Sequence, residues 1–306
     1  MIRFITQRLI QLIPVLFGVT ILVFGILHLT PGDPALIMAG ESAPEATVNA
    51  IRRRLGLDNP LHIQYFDFLK NVLTLDFGTS IRDNIPVSDH ISARFFITFE
   101  LAVISTAFSI FAGLLVGIVS AVWKYSFWDV SLMVITLFGL SMPNFWLGLM
   151  LIQWFSINLG WFAPTGWGNP NQMVLPVIAL GTAGAAIIAR MTRSSMLDVI
   201  GQDYIRTARA KGVKERSVIF KHALKNALIP VVTVAGLQFG YFLSGSVLTE
   251  SVFAINGLGR LIIDSIFARD FPVVQGTVLV LAVMFVTVNF LVDITYKFLN
   301  KRVDLN

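Results

Sequence analysis

Sixty consecutive residues, 130–189, contain no Asp, Glu, Lys or Arg. In lipid such a segment needs only that its backbone N–H and C=O groups be bonded within itself, which an α-helix achieves. About 20 apolar residues cross a bilayer, so the stretch is long enough for more than one crossing. Its middle, 158–172, is rich in Gly, Pro, Asn and Trp, a turn signal that divides it into spans at about 130–156 and 173–189. The composition points the same way: 13% of residues are charged, against about 25% in soluble domains.

Four further runs complete the pattern. Arg3 and Arg8 precede an uncharged stretch, 9–29. It is longer than the about 7–15 residues of a signal-peptide core, and it leads into Thr30-Pro31-Gly32-Asp33-Pro34 rather than a small-residue cleavage site. It reads as an uncleaved first span. Residues 97–123, 227–249 and 271–292 supply the second, fifth and sixth. The fold class is therefore all-α and polytopic, with six transmembrane helices. With the N-terminus inside, the inner segments hold 15 Lys and Arg and the outer ones 8, six of the latter in the long segment 30–94. That bias predicts both termini on the cytoplasmic side. The net charge of +5 is accounted for by residues beside the spans and does not call for nucleic acid. The absence of cysteine excludes disulfides and thiolate chemistry.

Residues 30–94 form a polar insert with eight acids and six bases, so no strong field results. Ser42-Ala43-Pro44-Glu45 reads as a capping box opening a helix that ends near Gly56. Leu61, Tyr65, Phe68, Leu69, Val72 and Leu73 mark a second amphipathic helix that stops before Gly78. A small helical cap on the membrane surface is the expected form.

The stretch 203–230 cannot be buried in lipid. It carries Arg206, Arg209, Lys211, Lys214, Arg216, Lys221 and Lys225 between two apolar runs. Asp203 falls in the first turn of a short helix, Arg209 and Lys211 in its last, each complementing the helix dipole. Gly212 stands where a left-handed residue ends a helix. From Lys214 on, Ile219, Phe220, Ala223, Leu224, Ala227 and Leu228 recur at helical spacing, predicting a second short helix with Lys214, Lys221 and Lys225 facing away. One explanation is a loop made basic by its cytoplasmic position. Its caps and periodicity are more than an orienting charge cluster requires, and favour a rigid docking surface.

Asp203-Tyr204-Ile205-Arg206-Thr207-Ala208-Arg209-Ala210-Lys211-Gly212, with 222–230, resembles the coupling loop of ABC-importer permeases of the dipeptide, oligopeptide and nickel branch. In that family the loop inserts into a groove of the ATPase subunit. The resemblance implies an ATPase-coupling role for Asp203, Arg206, Thr207, Ala208, Arg209, Lys211 and Gly212. The broader pattern has Glu-Ala-Ala, Gly six residues after the Glu, then Leu-Pro. Here Arg206 occupies the Glu position, Gly212 is retained, and the next proline is Pro230. Peptide-type permeases carry similar insert stretches at 31–34 (PGDP), 55–60 (LGLDNP) and 76–80 (DFGTS), and a similar loop at 250–272 that faces the binding protein. By this resemblance the chain pairs with a second homologous permease, two ATPase subunits and an extracytoplasmic substrate-binding protein. It would lie in the bacterial cytoplasmic (inner) membrane and carry dipeptides, oligopeptides, glutathione or nickel complexes. ATP and Mg would be bound by the ATPase subunits, leaving this chain without a cofactor. The implied organisation is a first helix with insert (1–94), a permease core (95–296) with its coupling loop at 190–228, and a cytoplasmic tail (297–306).

Other features bear on the path. Ser141-Met142-Pro143-Asn144-Phe145 interrupts span three, either to line a polar route or as a packed kink. Ser141, Asn144, Gln238, Ser244 and Ser246 are the candidate path residues. Gly236 and Gly240 form a G-x-x-x-G that permits close helix contact. Glu100 reads as a gate residue or as a carboxylate reaching interfacial water, and Trp161 and Trp167 suit an interfacial belt. No P-loop, no H-E-x-x-H and no G-x-S-x-G occurs, so neither catalytic nor metal residues are expected. An ion-coupled secondary transporter is the rival reading. It requires acidic residues at midspan, and the six spans hold none near their centres.

Overall fold

The structure, a computed structural model, describes residues 2–29, 33–40, 42–54 and 56–299. Residues 31 and 32, Leu55, Lys301 and Arg302, with the rest of the tail beyond 299, lie outside the described residues. In chain order the helices are α1 (Ile2–Leu29), α2 (Pro34–Ala39), α3 (Glu45–Arg54), α4 (Leu61–Leu73), α5 (Val87–Val122), α6 (Phe127–Ser141) and α7 (Asn144–Leu151). α7 continues as a π-helical turn, Ile152–Asn158. Then come α8 (Pro170–Ile200), α9 (Asp203–Ala210), α10 (Glu215–Ser217), a second π-helical turn (Val218–Ala223), α11 (Leu224–Val252), α12 (Leu258–Phe267) and α13 (Phe271–Leu299).

Among the described residues, five helical runs are long and apolar enough to cross a membrane. A sixth crossing results if Phe127–Ser141 and Asn144–Asn158 count as one span broken by 104°. The break falls at the expected Ser141–Phe145 segment. Met142 is extended (φ −78, ψ 129), as a residue before proline prefers, and Pro143 starts the next helix without needing a donor. Several helices outrun their apolar cores. α5 begins at Val87 rather than near 97, and α8 continues past 189 to Ile200, because nothing in either sequence breaks the helix where charge appears.

The chain divides into two compact units, residues 1–98 with 256–284, and 99–255 with the remainder from 285. In the first, α1 is held to α4 by a hydrogen bond of 2.8 Å between Thr20 Oγ1 and Tyr65 Oη, and by the edge-on packing of Phe24 and Tyr65. Arg52 is ion-paired with Asp33. The expected capping box does not form at Ser42–Glu45. Ala43 N bonds Gly40 O in a preceding turn, so the helix opens at Pro44, whose carbonyl accepts from Thr47 and Val48. The 76–80 stretch is clipped to the start of α13. Ser80 Oγ donates to Asp270 Oδ2 at 2.5 Å and Ile81 N donates to Oδ1 at 3.1 Å, and both Ser80 and Asp270 are buried. The 250–270 segment, expected as a loop, contains α12; Leu258, Leu261 and Ser265 give it a buried face, and Leu258 N donates to Thr98 Oγ1 at 2.8 Å.

The second unit is built on close helix contacts at small residues. A Cβ on Gly117 of α5 would lie 2.6 Å from the Ala189 carbonyl oxygen of α8, and Ser109 Oγ donates to Gly181 O at 2.7 Å. α8 packs in turn against α6, α7 and α11.

Candidate coupling surface

α9 has one fully buried apolar anchor. Ile205 is fully buried in a cluster with Ala121, Met196, Val218, Ile219, Ala223 and Ala227, against which Ala208 and Val213 also pack. The other residues expected to couple, Asp203, Arg206, Thr207, Arg209, Lys211 and Gly212, are all exposed. Eight residues are too few to hold a helix alone in water; tertiary anchoring and caps fix this one. Asp203 lies in the first turn and Arg209 in the last, while Lys211 is the C-cap residue. Gly212 takes φ +78. Its N–H bonds Arg209 O at 2.9 Å, and Val213 N bonds Ala208 O at 3.2 Å. That pair of bonds is a Schellman motif, and Ala208 and Val213 supply its hydrophobic contact.

Side chains then tie α9 to the next helical run. Arg209 makes two bonds to Glu215, 2.6 and 3.1 Å, and Asn226 Nδ2 donates to Tyr204 Oη at 2.8 Å. The expected second short helix is not separate. Glu215–Val252 is one helical run of 38 residues, so the basic segment is the extended foot of span five. No residue from 215 to 229 breaks a helix, and Pro230 is accommodated inside α11. Its buried side is Val218, Ile219, Ala223 and Ala227, whereas Phe220, assigned to that stripe from spacing, is exposed; the π-helical turn shifts the register of the faces. Lys214, Lys221 and Lys225 are exposed as expected.

The candidate path residues are dispersed. Ser141 is exposed, its Oγ returned to Leu137 O at 2.9 Å. Asn144 and Gln238 are half-buried and Ser244 is exposed. Ser246 is fully buried and donates to Glu250 Oε1 at 3.0 Å, so it and Ser244 occupy different faces of α11. Glu100 accepts from the Trp167 indole N–H at 2.9 Å.

The family model described as "Binding-protein-dependent transport system inner membrane component" matches residues 113–305. The chain belongs to this family. The companion model for its N-terminal region matches residues 1–102. Among full-length relatives, the glutathione transport system permease protein GsiC of Pectobacterium atrosepticum is 47% identical over 303 residues, 99% of each chain. Its namesake from Escherichia coli K12 is 44% identical over the same span, again 99% of each. The fold is that of the inward-facing MetNI methionine ABC transporter, with a TM-score of 0.59 over 69% of this chain and 96% of that one, at 20% identity.

This binding-protein-dependent permease is thus a multi-pass subunit of a bacterial ABC importer, with a transport rather than an enzymatic role, and not an ion-coupled secondary carrier. Such an importer works with an ATPase and a substrate-binding protein. Reading the permease sequence alone missed two features of its second unit. One is the close α5–α8 contact, signalled by an unremarked second G-x-x-x-G at Gly113 and Gly117. The other is the ion pair of Asp129 with Arg193, 64 residues apart, for which no local signal exists.

Proposed function

We propose that α9, with the Gly212 turn and the foot of α11, is the surface this permease presents to an ATPase subunit. The observation that carries it is the seating of α9 by Ile205, with Ala208 packed beside it, which leaves Asp203, Arg206, Thr207, Arg209 and Lys211 outward on a helix whose far end is locked by a Schellman turn. A rigid, polar, shallow projection transmits a push without being remodelled by it. In this reading both termini and α9 are cytoplasmic, in line with the Lys and Arg bias. The complete importer contains a second, similar permease and two ATPase subunits that bind ATP and Mg, with a binding protein outside.

The solute is a small peptide or a peptide-like compound such as glutathione, supported by the full-length relatives named for glutathione transport. The path runs along the broken span and α11, where Ser141, Asn144, Gln238 and Ser244 keep polar groups partly accessible and Ser246 lies one layer deeper. Reconstitution of the chain with its permease partner, ATPase subunits and binding protein tests this. Labelled glutathione or dipeptide should accumulate only with ATP and with all the subunits present. Uptake without ATPase subunits, abolished by an ionophore, would overturn it.

A further inference from the structure

The first unit contains a cavity of about 330 Å³, within the range of small-ligand sites. Its apolar wall includes Phe24 of α1, Phe68 of α4, Phe77 and Phe271. Phe24 lies near the end of the apolar run Ile5–Ile26, and Phe271 opens the run Phe271–Thr295. The cavity therefore sits where two spans leave their apolar stretches, at the depth of lipid headgroups.

The polar wall is one-sided. Among the described residues no lysine or arginine lines it, whereas Asp67 and Asp76 do. Two of the neutral donors are engaged, Gln64 Nε2 with Leu57 O and Asn59 O, and Gln275 Nε2 through one bond to Val23 O. The His28 ring nitrogens face two acceptors, Phe24 O at 3.0 Å and Gln64 Oε1 at 3.1 Å, and the tautomer decides which of them the ring N–H meets. The charged groups that line the space offer accepting capacity: the Asp67 carboxylate and the second oxygen of Asp76 beyond its bond to Gly78 N, with Gln275 Oε1 beside them. The Asn71 side-chain amide, one turn after Asp67, also lines the space.

We propose that this cavity is a binding site for a primary ammonium group carried on an apolar stem. Three N–H donors match the acceptors with charge-assisted bonds, and the phenyl rings take the stem and the face of the cation. An anionic ligand is disfavoured by the two carboxylates. The ammonium belongs either to the headgroup of an ethanolamine phospholipid or to a soluble amine, and the two sources share this chemistry. None of the lining residues belongs to α9 or to the candidate path, so the site does not depend on their assignment.

The test uses the full chain in phosphatidylcholine nanodiscs, with calorimetric binding of hexylammonium, hexyltrimethylammonium and hexanol corrected against empty discs. Hexylammonium should bind at least about tenfold tighter than either analogue. Asp67→Asn, at an exposed position, should remove most of that preference, and Asn71→Trp should block binding by filling the cavity. Doping the discs with phosphatidylethanolamine should weaken hexylammonium binding if the lipid is the natural occupant, and leave it unchanged if a soluble amine is. Equal binding of hexanol and hexylammonium, or binding untouched by both variants, overturns the proposal.

Discussion

Asp129 and Arg193 share two hydrogen bonds of 2.7 Å each, Nε to Oδ1 and Nη2 to Oδ2. The carboxylate lies in the first turn of α6 and also accepts from Tyr125 N at 2.9 Å, and Asp129 is only 2% exposed. The pair ties the start of the broken span to the charged end of α8. Removing one member leaves the other charge short of its partner, which costs about 3–5 kcal/mol in a fully buried pair. Arg193 keeps some solvent access, so we expect about 2–3 kcal/mol for Asp129→Ala. Thermal unfolding in detergent measures it. The double variant Asp129→Leu/Arg193→Met should be more stable than the sum of the single changes; strict additivity would show that the pair is not coupled.

The G-x-x-x-G of α11 makes a contact that can be repaired. A Cβ on Gly236 would lie 2.7 Å from one methyl carbon of Val292 on α13 and closer still to the other, while one on Gly240 has ordinary clearance of 3.5 Å. Gly236→Ala should therefore destabilise by about 1–3 kcal/mol through overpacking, and Gly240→Ala by much less. Adding Val292→Ala to Gly236→Ala should restore most of the loss. Unfolding midpoints of the four proteins settle the ordering.

The insert carries a local acid response. The Ile85 amide donates to Asp83 at 3.0 Å and His90 Nε2 lies 3.1 Å from the carboxylate. These contacts, led by the Ile85 amide and only partly offset by burial, lower the Asp83 carboxyl from 3.8 to about 2. Because the folded value is depressed, the stabilisation is complete above about pH 4 and is lost as pH falls through about 2. Hydrogen exchange at the Ile85 amide should accelerate across that window in the wild type. In Asp83→Asn the acid-dependent step should be missing.

Orientation can be read with single cysteines, since the chain has none of its own. Asn169, Asn256 and Arg216 are all exposed. Cysteines at Asn169 and Asn256 should react with an impermeant thiol reagent added outside intact cells. One at Arg216 should react only after the membrane is opened. Labelling of Arg216→Cys from outside would place α9 on the wrong face for an ATPase.

How much of the fold was legible in the sequence depends on how strongly the environment constrains each segment. Lipid leaves an apolar run little choice but helix, so the spans and the Met142–Pro143 break could be read directly. Gly212 was legible because a left-handed cap favours glycine. The foot of α11 was misread because its charges look like a loop, yet charge does not end a helix; only a breaker or a cap does, and residues 215–229 contain neither. The opening of α3 slipped to Pro44 because a turn from Gly40 competed for Ala43. The Asp129–Arg193 pair depends on how α6 meets α8, which no local pattern encodes. The candidate path residues follow from the break in span three and the small and polar residues of span five, and residue type does not say which side of α11 faces where: Ser244 is exposed and Ser246 is buried.

The Gly212 turn offers the most selective test of the coupling surface. At φ +78 a β-branched residue is strained by about 1–3 kcal/mol. A Cβ there meets nothing within 4 Å, so a substitution acts through backbone conformation and not through a clash. Relief of the strain must rotate the 211–213 turn, breaking the Val213 N to Ala208 O bond and loosening the Arg209–Glu215 clamp across it. The six apolar spans are untouched, so Gly212→Val should reach the membrane at near wild-type abundance. It should nevertheless associate more weakly with the ATPase subunit, or let ATP be hydrolysed without uptake. Gly201 has φ −74 and only ordinary contacts at 3.6 Å, which makes Gly201→Val the control with little effect. Co-purification of the ATPase subunit and the ratio of ATP hydrolysed to solute imported measure both arms. Wild-type values for Gly212→Val would mean that α9 is not a rigid coupling element, and the basic segment would revert to a loop that only orients the chain.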